Sequence, residues 1–452
     1  MMFCRITFAA ALAGWMLCAP VFADNVTVSS LEELQHYAHK SGNIVTMQPG
    51  TYRISDWLTE EKLREKRAQA DYPYLKFTGH DNVFQMDGVK IEADTKLRTI
   101  LRPPVHTNEF VISGRGNTIS GLTITNIGDA TSPGGALLSI SGENNTVQNG
   151  TFTVRGSSPY GYGDLFGKGG DYTIGHHKQS GVHIVGSGTQ IIGCKLYVHS
   201  YGHGFYVQGG HTQSFQDCYV EGKMRATDDM LKETSGPAAD IDFRTVVANR
   251  YGERRVTPGY MKSLAEDGYR TYHDVRDLTF LNCTAKHMRG GFELRTEGGG
   301  VQIQGCQTIE CERGYWVGNG ATVLESSGDA KYGPLLFVEG KRANVHVQLS
   351  PDSSKYHVHA IAVIWGEEHQ VHISPADLLE SREVATPILL GYGAPAAGEG
   401  MAEIKPRRAN RVVLDNETKM PVEISHEAIR CQVTSEGEIK RNDGKDTQIT
   451  RE

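Results

Sequence analysis

The hydrophobic pattern changes its period near the start of the chain. Over residues 29–42, SSLEELQHYAHKSG, the apolar positions Leu31, Leu34, Tyr37 and Ala38 share one face at helical spacing. Ser30 and Glu33 form a capping box at its start. From residue 43 onward, short runs of alternating apolar and polar residues take over, cut by Gly, Asn or Ser every few positions. GNIVTMQPGTYRI is the first, a strand pair around a Pro-Gly turn. The unit is clearest from Gly186 to Gly222, where TQIIGCKLYV, GFYVQ and QSFQDCYVEG follow one another. Cys194 and Cys218 occupy matching places in two of these runs, 24 residues apart. Cys283 in DLTFLNCTAKH and Cys306 in GVQIQGCQTIE lie 23 apart, and Asn117 and Asn145 begin matching NTI and NTV strands 28 apart. A recurrence in the twenties, with turns between very short strands, predicts an all-β parallel solenoid, a β-helix whose coils bury their inner faces only when stacked. The amphipathic helix is then the cap of the first coil.

Three stretches break the coil pattern. Residues 56–70, DWLTEEKLREKRAQA, read as a charged helix. Residues 157–182 form a Gly- and Tyr-rich loop, and residues 231–275 a second long insertion. Two insertions leaving one flank would wall a groove, and loops on a rigid scaffold are where binding residues concentrate. Residues 375–395 read as helical and then loop-like, residues 409–436 as final strands that end the β-helix domain of 24–436, and residues 437–452 as a frayed polar tail.

Composition narrows the setting. Residues 1–23, MMFCRITFAAALAGWMLCAPVFA, carry one Arg, an apolar run and a small-residue cleavage pattern, which predicts a signal peptide and a secreted or periplasmic protein. No other apolar run is long enough to span a bilayer. A net charge of −7 without a basic stripe argues against a nucleic-acid partner. A monomer is expected. Cys194, Cys218, Cys283, Cys306, Cys311 and Cys431 remain after cleavage and are expected as buried thiols, with one Cys194–Cys218 bridge as the alternative.

The cysteines also set a register. Nine to twelve residues after each, the chain reads His203-Gly-Phe-Tyr206, Thr227-Asp-Asp-Met230, Phe292-Glu-Leu-Arg295 and Tyr315-Trp-Val-Gly318. With strand side chains alternating faces, Phe205, Val207, Phe292, Leu294, Tyr315 and Val317 point inward. Tyr206, Asp228, Glu293, Arg295 and Trp316 then form an outward stripe, with His203 at the preceding bend.

The opening helix and coils resemble the start of secreted right-handed parallel β-helix proteins of the pectate-lyase-like superfamily, which implies that fold and a polysaccharide or oligosaccharide substrate. Gly-His-Gly at 202–204 and Asp-Asp at 228–229 are similar to motifs of polygalacturonase-type hydrolases, in reversed order. The chain also resembles β-helical lyases that cut alginate or dermatan. Eliminative cleavage of a uronic acid needs its carboxylate neutralised, a base, and an acid for the leaving oxygen. Tyr206 and His203 suit the last two roles, and Arg295, Arg289 or Lys232 the first. Hydrolysis needs two carboxyl groups flanking the bond, for which Asp228, Asp229 and Glu293 are the candidates. Tyr201, Tyr162 and Trp316 are candidate sugar-contacting aromatics, and Asp228 with Asp229 a candidate Ca²⁺ pair. The leading expectation is a lyase acting on an acidic glycan. A hydrolase, a C5-epimerase and a non-catalytic glycan-binding solenoid are the alternatives. Six histidines between residues 176 and 211 match no zinc spacing, and His357, His359, His369 and His372 alternate as exposed strand faces do.

Overall fold

The computed structural model describes residues 24–66, 72–101, 108–132, 134–169, 171–272, 274–351, 354–376, 386–394 and 401–451. The expected signal peptide lies outside the described residues, as does most of the helix expected after residue 375.

The chain is wound into a right-handed parallel β-helix. One long sheet contains thirteen parallel strands, from Leu75–Phe77 to Ile439–Asn442. The other takes two strands from a typical coil, such as Gln190–Ile192 and Lys195–Val198. The corner between those two strands explains the recurring Gly, Asn and Asp. Gly193, Asp217, Asn282 and Gly305 each precede a cysteine and have φ of 61°, 53°, 51° and 62°. Their amides donate to carbonyls of the next coil at 2.8–3.2 Å. Only a left-handed residue turns the chain there, and Gly, Asn and Asp adopt that conformation most readily.

Inside, like residues stack on like. Phe205, Tyr269, Phe292 and Tyr315 form a column with ring centroids 5.5, 4.6 and 5.3 Å apart, each pair contributing about 0.5–1.5 kcal/mol beyond its buried area. The six cysteines are free and buried, so the alternative Cys194–Cys218 bridge is not formed. The Cys283 amide donates to Cys306 Sγ at 3.4 Å. Asn117 and Asn145 do more than turn the chain. With Asn43 and Asn82 they form a buried ladder, each backbone N–H donating to the Oδ1 of the next Asn at 2.9, 3.1 and 2.9 Å. That ladder satisfies polar backbone which burial would otherwise leave unpaired.

The helix Leu31–Ala38 covers the first coils with Leu31, Leu34 and Ala38. Ser30 Oγ accepts from the Glu33 amide at 3.2 Å, and the Glu33 carboxylate accepts from the Ser29 amide at 2.7 Å. The charged stretch after Arg53 contains two short helices, Ile54–Trp57 and Glu60–Lys66. Among the described residues no helix is long and apolar enough to cross a membrane.

Three boundaries differ from the sequence reading. The first insertion ends at 179, because Ser180–Ile184 is a strand of the thirteen-stranded sheet. The second runs over about 223–266. Its neck pairs Met224–Ala226 antiparallel with Met261–Ser263, and the chain rejoins the sheet at Asp267–Thr271. The tail is not frayed: Ile439–Asn442 pairs with Val422–Ile424, and Gln448–Arg451 with Gln432–Ser435, completing one more coil. The two insertions share a small apolar core that includes Tyr162, Phe166, Met230, Phe243 and Tyr260. They lie against the outer face of the thirteen-stranded sheet.

Candidate active site

In-register pairing lines up the outward positions of that sheet. His183, Tyr206, Arg270, Glu293, Trp316 and Phe337 occupy successive rungs. The stripe expected from the cysteines is therefore present with one rung exchanged. Arg270 stands where Asp228 was expected, because the coil that begins at Cys218 leaves for the second insertion and returns only at Asp267.

The rungs carry a buried network of opposite charges. Glu293, 1% exposed, is gripped by Arg270, Arg295 and Arg313. Asp267, fully buried, pairs with Arg289 at 2.9 Å and with Arg313 at 3.2 Å. Burial works against the Asp267 carboxylate, but the Arg289 and Arg313 guanidiniums outweigh it and hold its pKa well below the usual range. Glu266 is held at about 2 in the same way: burial opposes ionisation, and His203, Lys178 and Arg289 overcome it. Lys178 lies 2.8 Å from Glu266. Beneath the insertions Lys262 bridges Asp164 at 2.8 Å and Glu312 at 2.6 Å. These contacts tie both insertions to the coils.

One group in the network is a hydroxyl–imidazole pair. Tyr272 Oη lies 2.6 Å from His203 Nε2. A carboxylate faces each ring nitrogen, Glu266 at 3.3 Å from Nε2 and Asp267 at 3.4 Å from Nδ1. Burial pushes the His203 pKa down to about 4 despite those carboxylates, so the ring is neutral at neutral pH. Burial raises the Tyr272 pKa, with Arg270 opposing. The Arg270 guanidinium stacks 4.7 Å over the Tyr272 ring.

Two open cavities meet at Tyr272. One, of about 810 Å³, is lined by Lys178, His183, His203, Tyr206 and Glu266. The other, of about 670 Å³, is lined by Arg270, Arg295, Lys341, Trp365 and Arg407. Tyr272 borders both, so the pair stands midway along a cleft whose second half is rich in cations. In the first half Tyr206 stacks on His183 with centroids 4.7 Å apart, and burial raises the Tyr206 pKa.

His203, Tyr206, Glu293 and Arg295 are brought together, but several expected site residues are placed elsewhere. Asp228 and Asp229 sit on the short helix Thr227–Met230 of the second insertion. Asp228 accepts the Gly259 amide, and Asp229 pairs with Lys232, itself 74% exposed. That removes Asp228 and Asp229 from the stripe, both as a hydrolytic pair and as a Ca²⁺ pair beside it, and removes Lys232 from substrate neutralisation. Arg289 is 2% exposed and spent on Asp164, Glu266 and Asp267, so it orders carboxylates rather than meeting a ligand. Tyr201 is buried beneath Lys178 and His176. Tyr162 belongs to the insertion core and donates to Glu233 at 2.7 Å. Trp316, 3% exposed, is covered by Arg295 at 4.1 Å and packs on Phe337. Trp365 is buried to the same degree in the same cluster, with Arg407 stacked over it at 5.4 Å, so the arginines rather than the indoles face that cavity.

The residues missed include Arg270 and Tyr272, and with them Lys178, Glu266, Asp267 and Arg313. The signal that finds the first two is the inward aromatic before Arg270: Tyr269 continues the Phe205–Phe292 column and sets the rung.

No family model matches the chain, and no curated protein matches it. Among solved structures it is similar to a PL6 alginate lyase in complex with a trisaccharide, with 11% identity, a TM-score of 0.42, and coverage of 97% of this chain and 86% of that one. It is similar to a mannuronic acid specific polysaccharide family 6 lyase from human gut microbiota, with 10% identity, a TM-score of 0.39, and coverage of 91% and 86%. It is also similar to the catalytic domain of a GH87 α-1,3-glucanase in complex with tetrasaccharides, with 12% identity, a TM-score of 0.35, and coverage of 98% and 70%.

Proposed function

We propose that this protein is an exported polysaccharide lyase that cleaves a uronate-containing glycan by β-elimination at Tyr272. The observation that carries the reading is the Tyr272–His203 contact of 2.6 Å at the junction of two cavities, with Arg270 stacked on the tyrosine. A uronate carboxylate bound beside Arg270 and Arg295 would share with Glu293 two guanidiniums that, unlike that of Arg289, border the open cavity, and their charge acidifies the neighbouring C5–H. The Tyr272 oxygen takes that proton while its own passes to Nε2 of neutral His203, in the tautomer whose Nδ1–H faces the Asp267 carboxylate. The imidazolium so formed is held by Glu266 and Asp267. The C4–O bond breaks, Tyr272 protonates the leaving oxygen, and His203 returns its proton to the phenolate. The products are a new chain end and an unsaturated uronate. A positioned acid or base of this kind contributes about 10²–10⁴-fold.

Arg270, Arg295, Lys341, Arg407 and Arg408 outnumber Glu297, Glu339 and Glu367 in the lining of the second cavity, which supports an acidic polymer over a neutral one, and Arg407 with Arg408 is suited to hold sugar units beyond the cleaved bond. The hydrolytic alternative loses support because Asp228 and Asp229 are engaged in the insertion and Glu293 is enclosed by three arginines. Export by the segment 1–23, action as a monomer, and a Ca²⁺ contribution to carboxylate neutralisation belong to the same proposal. The test is incubation of the purified protein with a panel of uronate polysaccharides, with and without Ca²⁺, followed by ultraviolet absorbance of the unsaturated product and by a reducing-end assay.

A further inference from the structure

We infer a second, non-catalytic site, for one divalent metal ion of the Zn²⁺ or Mn²⁺ kind, on the outer face of the last coils, formed by His372, Asp415 and Glu417. His372 lies on the strand Gln370–Pro375 and Asp415 on Val413–Asn416, and the two are directly paired in register. Both therefore point outward from adjacent rungs. Glu417 follows at the strand end, and its amide donates to the Ile373 carbonyl at 3.0 Å, which fixes it beside His372. His372 Nε2 is 3.0 Å from Glu417 Oε1 and 4.0 Å from Asp415 Oδ2. All three donor atoms lie within 4.8 Å of one another.

Two features separate this cluster from an ordinary polar surface. Two carboxylates converge, yet among the described residues no lysine or arginine is paired with either, and the cation they face is one imidazole at most. On neighbouring coils Glu367 is matched by Lys341 and Glu368 by Arg411. In addition, His372 Nε2 is shielded from solvent, lacks a hydrogen bond of good geometry, and is aimed at the two carboxylates. His346, one rung earlier, packs edge-on against the His372 ring at 5.3 Å and restrains its orientation.

One imidazole nitrogen with two carboxylates is a donor set for borderline divalent ions. Metal–ligand distances of about 2.0–2.2 Å place tetrahedral donors about 3.3 Å apart, so a small rotation of Asp415 completes the three-donor face, with water on the remaining positions. The bound ion would staple two adjacent coils, those of Gln370–Pro375 and Val413–Asn416.

The experiment is calorimetric titration of chelator-treated full-length protein with Zn²⁺ and then Mn²⁺, together with thermal unfolding. The expected result is one ion per chain, a higher unfolding temperature in its presence, and affinity reduced at least about tenfold in both His372→Ala and Glu417→Gln. No binding of either ion overturns the inference, as does binding that both variants leave unchanged. The readout does not depend on turnover, so it stands or falls separately from the lyase reading.

Discussion

The Tyr272 hydroxyl lies 2.6 Å from His203 Nε2, although 69 residues and a complete insertion separate the two in sequence. If this pair moves the proton, Tyr272→Phe removes the acting oxygen and keeps the ring under Arg270. Turnover should fall by about 10²–10⁴-fold, with KM for the polymer nearly unchanged and an unaltered circular dichroism spectrum. A large rise in KM with normal kcat would make Tyr272 a binding residue instead.

The pH profile should carry the mark of His203. Its ordinary pKa of 6.5 is lowered to about 4 by burial, so the folded protein favours the neutral ring. The sign follows: the neutral ring stabilises fully above about 6.5, and the contribution is lost as pH falls from there through about 4. Kcat/KM should therefore hold through pH 6 and decline only toward pH 4. In His203→Gln that acid limb should vanish along with most of the activity. An acid limb near 6.5 in the wild-type protein would place a solvent-accessible histidine in the mechanism.

Arg407 tests the cationic half of the cleft. It stacks on Trp365, away from the Tyr272–His203 pair, and lines the cavity with Lys341. Arg407→Ala should raise KM several-fold for long acidic polymers and leave kcat near wild type, since it removes binding that is equal in ground and transition states. The effect should shrink at high salt, where exposed charges are screened. Velocity curves at two ionic strengths check both statements.

Lys262 holds the second insertion to the coils through Asp164 and Glu312, and burial raises the Glu312 pKa against the pull of Lys262. Lys262→Ala leaves buried Glu312 without its cation and Asp164 with the more distant Arg289, and breaking a buried pair typically costs about 3–5 kcal/mol. The expected outcome is faster limited proteolysis between residues 223 and 266, with the coils protected. Wild-type resistance in the variant would show that the apolar core around Tyr162 and Phe166 suffices.

Much of this architecture is written in the sequence because a solenoid repeats its constraints. Each corner needs a left-handed residue, so Gly193, Asp217, Asn282 and Gly305 recur one place before a buried cysteine. From that register, Tyr206, Glu293 and Trp316 were assigned to one outward stripe, and pairing puts them there. The register failed where the chain leaves the coil. After Cys218 the count runs into Thr227–Met230, which is a helix of the insertion, and the true rung resumes at Asp267. Spacing cannot be counted through an insertion, so Arg270 and Tyr272 were missed and Asp228 was placed on the stripe. The last coil was missed for a different reason. Its strands are mostly polar, and among the described residues only Ile439 and Ile449 of them pack against the core.

The most direct measurement is ultraviolet absorbance during incubation of wild-type and Tyr272→Phe protein with uronate polymers. The lyase account predicts a rising signal from the unsaturated product on at least one acidic polymer, reduced at least about 10²-fold in the variant. New reducing ends without that signal would mean hydrolysis and contradict the assignment of Tyr272. Silence in both assays across the panel, with polymer still bound, would make the cleft a glycan-binding surface without catalysis.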